Sequence, residues 1–242
     1  MPLSLSLRAA VLTVALGSGT YGAVACARKD AGRAEDSGSS PVASAAAATT
    51  GTGVGTGTVN DSISTRADRS RILGGDGAKV WMVVVSDFQC PYCRIWHDST
   101  YPALVRESVQ PGKVKLAYVN FPLPMHKNAW PAAEAVMCAG VQGKFWEMQD
   151  KVFSTQSRWS TLEDAAPVFD SLATSAGLDA KRLRTCVDTH QTKRLIQADY
   201  DRSVAAGVNS TPTFIIGDRT VEGAQPIEEF RQVLDSALAK AK

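Results

Sequence analysis

The chain has 242 residues, with 26 Lys+Arg against 24 Asp+Glu for a net charge of +2. So small an excess, with no run of Lys or Arg, excludes the usual nucleic-acid binder, whose affinity rests on neutralising phosphates. At 44% hydrophobic and 21% charged the composition is that of a globular protein of one or two domains. Five cysteines and three histidines, without a repeated cluster, leave little material for a zinc or iron–sulfur site, so neither metal nor cofactor is expected.

Residues 1–25 carry one early cation, Arg8, then an apolar run from Ala9 to Leu16, then small residues ending in Ala23-Val24-Ala25 before Cys26. The run falls short of the roughly 20 residues that span a bilayer, so it reads as a secretory signal rather than a membrane helix. Two processing readings stand side by side: ordinary signal-peptidase cleavage at the small-x-small pattern, and a bacterial lipobox ending at a lipidated Cys26. The lipobox is favoured because Cys26 is the odd cysteine of five, although Ala23 is smaller than the aliphatic residue that pattern prefers. Residues 26–67 are mostly Ala, Ser, Thr, Gly and Asp, with no aromatic between Tyr21 and Trp81. Such composition cannot bury enough surface to fold and is expected to be a disordered tether, with a globular head over 68–242.

Within the head, the continuous apolar run from Val80 to Val85, rich in β-branched residues, predicts a strand buried on both faces. A helix is expected to open at Cys90-Pro91 and run to about Val109, and Val114 to Phe121 predicts a second strand. Helices follow over 128–142 and 145–154. Ser160-Thr-Leu-Glu163 matches a capping box before a helix over 165–176, Asp179 caps another, and 191–207 predicts one more. Thr213 to Ile216 and Thr220 to Gly223 flank Gly217-Asp218-Arg219, a hairpin signal, and Pro226 starts a helix with Ile227, Phe230, Val233, Leu234 and Leu238 on one face.

The chemistry centres on Cys90-Pro91-Tyr92-Cys93. Two cysteines at this spacing, after a buried strand and in the first turn of a helix, meet the context in which the pattern signals redox exchange. The first faces free backbone N–H groups and the positive end of the helix dipole, which favour its thiolate; the second lies inside the helix and can attack back on a mixed disulfide. Cys90 is therefore assigned as nucleophile and Cys93 as resolving thiol. Half of a zinc knuckle would need a second ligand pair, and a merely structural disulfide would leave the helix start unexplained.

These residues, with Asp87-Phe-Gln before them, Asn120-Phe-Pro-Leu-Pro-Met-His126, Gly143-Lys-Phe-Trp146, Gly207-Val-Asn-Ser-Thr-Pro-Thr-Phe214 and the terminal amphipathic helix, resemble the DsbA-like branch of the thioredoxin superfamily over roughly Arg71 to Ala239. The resemblance implies an α/β thioredoxin fold with an inserted all-helical subdomain at about 125–206. It also implies a cis Thr211–Pro212 bond facing the cysteines, which would present the Thr211 backbone to an extended substrate segment. One departure is plain: Val84 stands six residues before the nucleophile, where many relatives place a buried carboxylate, so the route of proton transfer is open. Asp87 is either a solvated or capping side chain or a proton relay. His97 is assigned a structural or surface role, His126 the start of the next helix, His190 the surface, and Trp130, Phe145 and Trp146 the core or the groove.

Cys138 and Cys186 remain, each on a helix face that can point inward. Some relatives carry a disulfide in the helical insertion, and pairing these two is favoured over two buried free thiols. Signal, Cys26 and resemblance together give the expectation of an exported, lipid-anchored, monomeric oxidase. Its clients would be exported proteins with cysteines, and a membrane or small-molecule partner would reoxidise it. A reductase or isomerase kept reduced by a membrane donor, and a non-catalytic binding module, are the alternatives.

Overall fold

The computed structural model describes residues 62–241, so Cys26, the signal and most of the expected tether lie outside the described residues. The first element, α1 (Ile63–Ser70), starts inside the stretch expected to be tether, so the ordered head begins before Asp68. Ser62 caps it by accepting from Thr65 N. Ala67 is fully buried, and its carbonyl lies against Gly140 of the helix over 129–141, where an added Cβ would meet Ala67 O at 3.6 Å and displace the Ser70 hydroxyl.

A five-stranded sheet has the order β1-β3-β2-β4-β5. Its centre is the parallel pair β2 (Val80–Ser86) and β3 (Val114–Asn120), in register from Val80 against Val114 to Ser86 against Asn120. The right-handed crossover expected of such a pair runs through helices after β2. On the other side of β2, β4 (Thr213–Ile216) is antiparallel, and β5 (Arg219–Glu222) pairs with β4 across Gly217-Asp218. A short β1 (Ile72–Leu73), which hydrophobic pattern did not reveal, adds antiparallel to β3. The expectation that β2 is buried on both faces holds only at its C-terminal end: Trp81 is 46% exposed.

The expected single helix over 90–109 is broken. It becomes α2 (Pro91–Ser99), α3 (Tyr101–Leu104) and a π-helical turn over Val105–Val109. Pro102 explains this, because its ring clashes with the carbonyl four residues back and it has no N–H to donate. Trp96 of α2 then packs on Phe214 of β4, their rings 4.8 Å apart, and Phe214 meets Phe230 of the terminal helix at 4.8 Å.

Between β3 and β4 lies the helical insertion: α4 (Ala129–Val141), α5 (Phe145–Ser154), α6 (Gln156–Trp159), α7 (Ala166–Ser175), α8 (Ala180–Asp188) and α9 (Lys193–Ala205); α10 (Ile227–Lys240) ends the fold. The capping box at Ser160 does not form. Ser160 instead ends α6, Glu163 pairs with Lys127, and Asp164 Oδ1 accepts from Ala166 N, since Pro167 fixes the first turn of α7 later than the box required. Asp179 does cap α8, accepting from Arg182 N. Cys138 of α4 and Cys186 of α8 form a disulfide, with Cα atoms 5.8 Å apart.

One buried cluster joins the two parts. The Asp199 carboxylate on α9, fully buried, accepts from Arg71 Nη1, from Asn120 N at 3.1 Å, from Asn120 Nδ2 at 3.0 Å and from Arg202 at 2.7 Å; Arg71 also donates to Tyr118 O. Removing Asp199 leaves the buried Asn120 donors unpaired and Arg71 with Asp68 alone, at a cost of up to about 3–5 kcal/mol. Asp199→Ala is thus expected to lose about that much stability in denaturant unfolding, and a loss under 1 kcal/mol would refute the role given to the cluster. Cys138→Ala/Cys186→Ala is expected to lose on the order of 4 kcal/mol, as the loop-closure relation gives for a loop of this length.

Candidate active site

Cys90 occupies the N-cap of α2, with Pro91 at the first helical position, and no side-chain oxygen caps the helix. At an N-cap the side chain normally accepts from the second and third helical N–H groups. Here the N-cap is Cys90, whose side chain makes no capping hydrogen bond, and the Tyr92 and Cys93 N–H groups give its sulfur only a minor support. Its pKa is lowered from the ordinary thiol value to about 6, chiefly by a hydrogen bond from the Cys93 thiol. Burial opposes the shift, and Thr211 and the two N–H groups add to it. Cys93 is buried inside the first turn, and its pKa is raised well above the ordinary value, first by burial and then by the negative sulfur beside it. Of two chemically identical thiols, one is a thiolate near neutrality and the other holds its proton. Both are present as free thiols.

The loop before Cys90 is held from the insertion. Gln156 Nε2 donates to Phe88 O at 2.8 Å and to Cys90 O at 2.9 Å, while Gln89 donates to Ser160 O and accepts from Asn128 N. Phe88 stacks between Tyr118 of the sheet and Phe153 of α5, at 5.0 and 5.1 Å. Sequence reading gave no role to Gln89 or Gln156, because a lone glutamine has no spacing signature; its function comes from which carbonyls lie across from it.

Asp87 is neither solvated nor a cap of α2. Its side chain is completely buried, with Oδ1 accepting from Gln89 N at 2.6 Å and Oδ2 accepting from Leu123 N at 2.8 Å and meeting His126 Nδ1 at 2.7 Å. Its backbone N–H lies 3.5 Å from Cys93 Sγ. His126 does stand at the entry to α4, its carbonyl accepting from Ala129 N, yet its ring points back to the redox loop. The Asp87 hydrogen bond raises its pKa, against partial burial, and the Cys90 charge raises it further.

The Thr211–Pro212 bond is cis, and Cys90 Sγ donates to Thr211 O at 3.5 Å. The Thr211 hydroxyl is buried without a hydrogen-bond partner. Val84 is core. His97 is buried one turn past Cys93; burial opposes its protonation, but bonds to Asp150 at 2.9 Å and Asp98 at 3.0 Å prevail and raise its pKa. His190 lies at the surface beside Glu134; Phe145 is core, and Trp130 and Trp146 pack against it. Tyr92 and Ile95 of the redox helix, and Met125 and Leu162 of the insertion, leave large apolar groups in solvent, Met125 at 80% exposure.

The sequence profile described as Thioredoxin matches residues 66–236. The chain is 31% identical over 176 residues to the Na(+)/H(+) antiporter NhaA 3 of Salinispora tropica, covering 72% of this chain but only about a quarter (26%) of the antiporter. It is 26% identical over 174 residues to the probable disulfide bond formation protein D of Bacillus anthracis, covering 69% of this chain and 78% of that one. Among solved structures, BdbD of Bacillus subtilis superposes with a TM-score of 0.64 at 24% identity, over 70% of this chain and 92% of that one. With a cysteine pair at a helix start facing a cis-proline turn, and the family profile spanning most of the head, the chain belongs to the thioredoxin family.

Proposed function

We propose that this chain is an extracytoplasmic oxidase that forms disulfides in exported client proteins through Cys90 and Cys93. The observation that carries the reading is the asymmetry of the two sulfurs. A reduced pair with one stabilised thiolate is the more stable product of the reaction, which favours electron flow from client to enzyme.

Starting from the Cys90–Cys93 disulfide, a client thiolate attacks Cys90 Sγ. The bond between the two sulfurs breaks, and Cys93 leaves and takes up a proton in its buried site. The second client thiolate then attacks the client sulfur of the mixed disulfide, and Cys90 leaves as the thiolate. Two electrons pass from the client to the pair; of the two client protons one ends on Cys93 and one in solvent. Thr211 and Pro212 would present main-chain groups beside Cys90 to an extended segment, and the exposed apolar side chains of Tyr92, Ile95, Met125 and Leu162 suit a partly unfolded client. Reoxidation falls to a membrane-bound or small-molecule oxidant. A lipid on Cys26 would hold the head near such a partner. The likeness of this head to a quarter of a membrane antiporter fits a module that works beside a bilayer. Among the described residues no helix is long and apolar enough to cross one.

Equilibrating the full chain with graded glutathione buffers tests the direction. A potential well above the glutathione pool supports an oxidase, and one near thioredoxin's makes the protein a reductase or isomerase. Cys90→Ala should abolish exchange in a folded protein. Cys93→Ala should remove the main support of the thiolate, so the absorbance change at 240 nm that marks Cys90 ionisation, expected near pH 6, moves upward; an unmoved midpoint would refute the Cys93 contribution. A thiol whose pKa is depressed in the fold stabilises above that pKa and loses the contribution as pH falls through it. From pH 5 to 7 the dithiol form should therefore gain about 1.4 kcal/mol of stability relative to the disulfide form, read by denaturant unfolding at each pH.

A further inference from the structure

The strand position that holds Val84 offers the cysteine pair no ionisable group, yet one reaches the pair from another direction. Asp87, in the loop between β2 and α2, is bound on three sides and turns its own N–H to Cys93 Sγ at 3.5 Å. The side chain that completes its shell, His126, comes from the far end of β3, outside the motif and 33 residues beyond Cys93. Its ring is mostly buried, with 17% of the side chain exposed. Of the titratable groups around it, Asp87 from the β2 loop touches it at 2.7 Å, and the cysteine pair lies one contact further on, through Asp87 N to Cys93 Sγ at 3.5 Å. The neighbouring cation Lys127 is turned outward and paired with Glu163 of the loop after α6, at 2.5 Å.

We propose that His126 is a positioning residue of the redox pair: it fixes the Asp87 loop that touches Cys93, and its charge stabilises the Cys90 thiolate. This rests on Cys90 being the exchanging thiol. The consequence is reciprocal, because two coupled proton sites must shift each other equally. A Cys90 thiolate makes His126 easier to protonate, and a protonated His126 makes Cys90 easier to ionise. Forming the Cys90–Cys93 disulfide removes the sulfur's charge, so His126 must bind its proton more weakly in the disulfide than in the dithiol. A neutral packing residue that only ties two loops together would show no such difference.

The decisive measurement is the NMR titration of the His126 ring in the full wild-type chain, held once as the disulfide and once as the dithiol. The expected result is a higher midpoint in the dithiol, a difference in proton affinity on the order of three- to tenfold for charges separated within a partly buried site. The same midpoint in both forms overturns the proposal. His126→Gln, which keeps a donor toward Asp87 but cannot carry charge, should raise the midpoint of the Cys90 absorbance change at 240 nm by a similar factor. An unchanged Cys90 midpoint in a folded His126→Gln protein also overturns it. Because both readouts follow protons rather than client turnover, they separate this inference from the oxidase reading: loss of client exchange with the redox-dependent His126 shift intact would sink the function and leave the coupling standing.

Discussion

The first turn of α2 has backbone N–H groups that no carbonyl inside the helix can satisfy, and the residue set to receive them is a cysteine rather than the usual serine or aspartate. Much of the molecule fixes that arrangement. β2 delivers the chain to the helix start from the middle of the sheet, Pro91 pre-sets the first helical turn without leaving a donor unpaired, and Trp96 anchors the helix on Phe214. The Cys93 thiol gives the Cys90 thiolate its largest support, Thr211 and the N–H groups add to it, and Cys93, buried beside that charge, keeps its proton.

The helical insertion acts on this site as much as the sheet does. Gln156 of α6 holds the carbonyls of Phe88 and Cys90, so the loop cannot swing away from the sheet without leaving buried polar groups unpaired. Asn128 and Ser160 hold Gln89, and Phe153 holds Phe88 from the opposite side. The same subdomain also carries Met125 and Leu162 into solvent. The Arg71–Asp199 cluster ties α9 of that subdomain to β3, and Cys138–Cys186 closes it internally.

Most regular elements were legible because their signals are local. A continuous apolar run marks β2 and an alternating one β3, Gly217-Asp218 marks the hairpin, Asp179 marks the start of α8, and the apolar stripe with Phe230 marks α10. Errors fell where one local signal competed with another. Pro102 broke a helix that periodicity alone carried through, and Pro167 moved the start of α7 away from a matching capping box. α1 lies in a stretch too short of apolar residues to announce itself, and its one fully buried residue, Ala67, is a contact made across the fold.

At the site, the amino-acid sequence by itself determined the reactive pair, its order and its setting, since the spacing of Cys90 and Cys93, Pro91 and the preceding strand all act within one turn of helix. Only the tertiary structure decided what surrounds that pair. Asp87 could have been a solvated strand end; burial against Leu123 N and His126 makes it part of the loop's frame. Gln156 and His126 carry no pattern in the chain because their partners lie 66 and 39 residues away. Hydrogen bonds and charges act over a few ångströms of space, whereas spacing rules read only neighbours along the chain, so the groups that tune the cysteines became visible once the fold had brought them together.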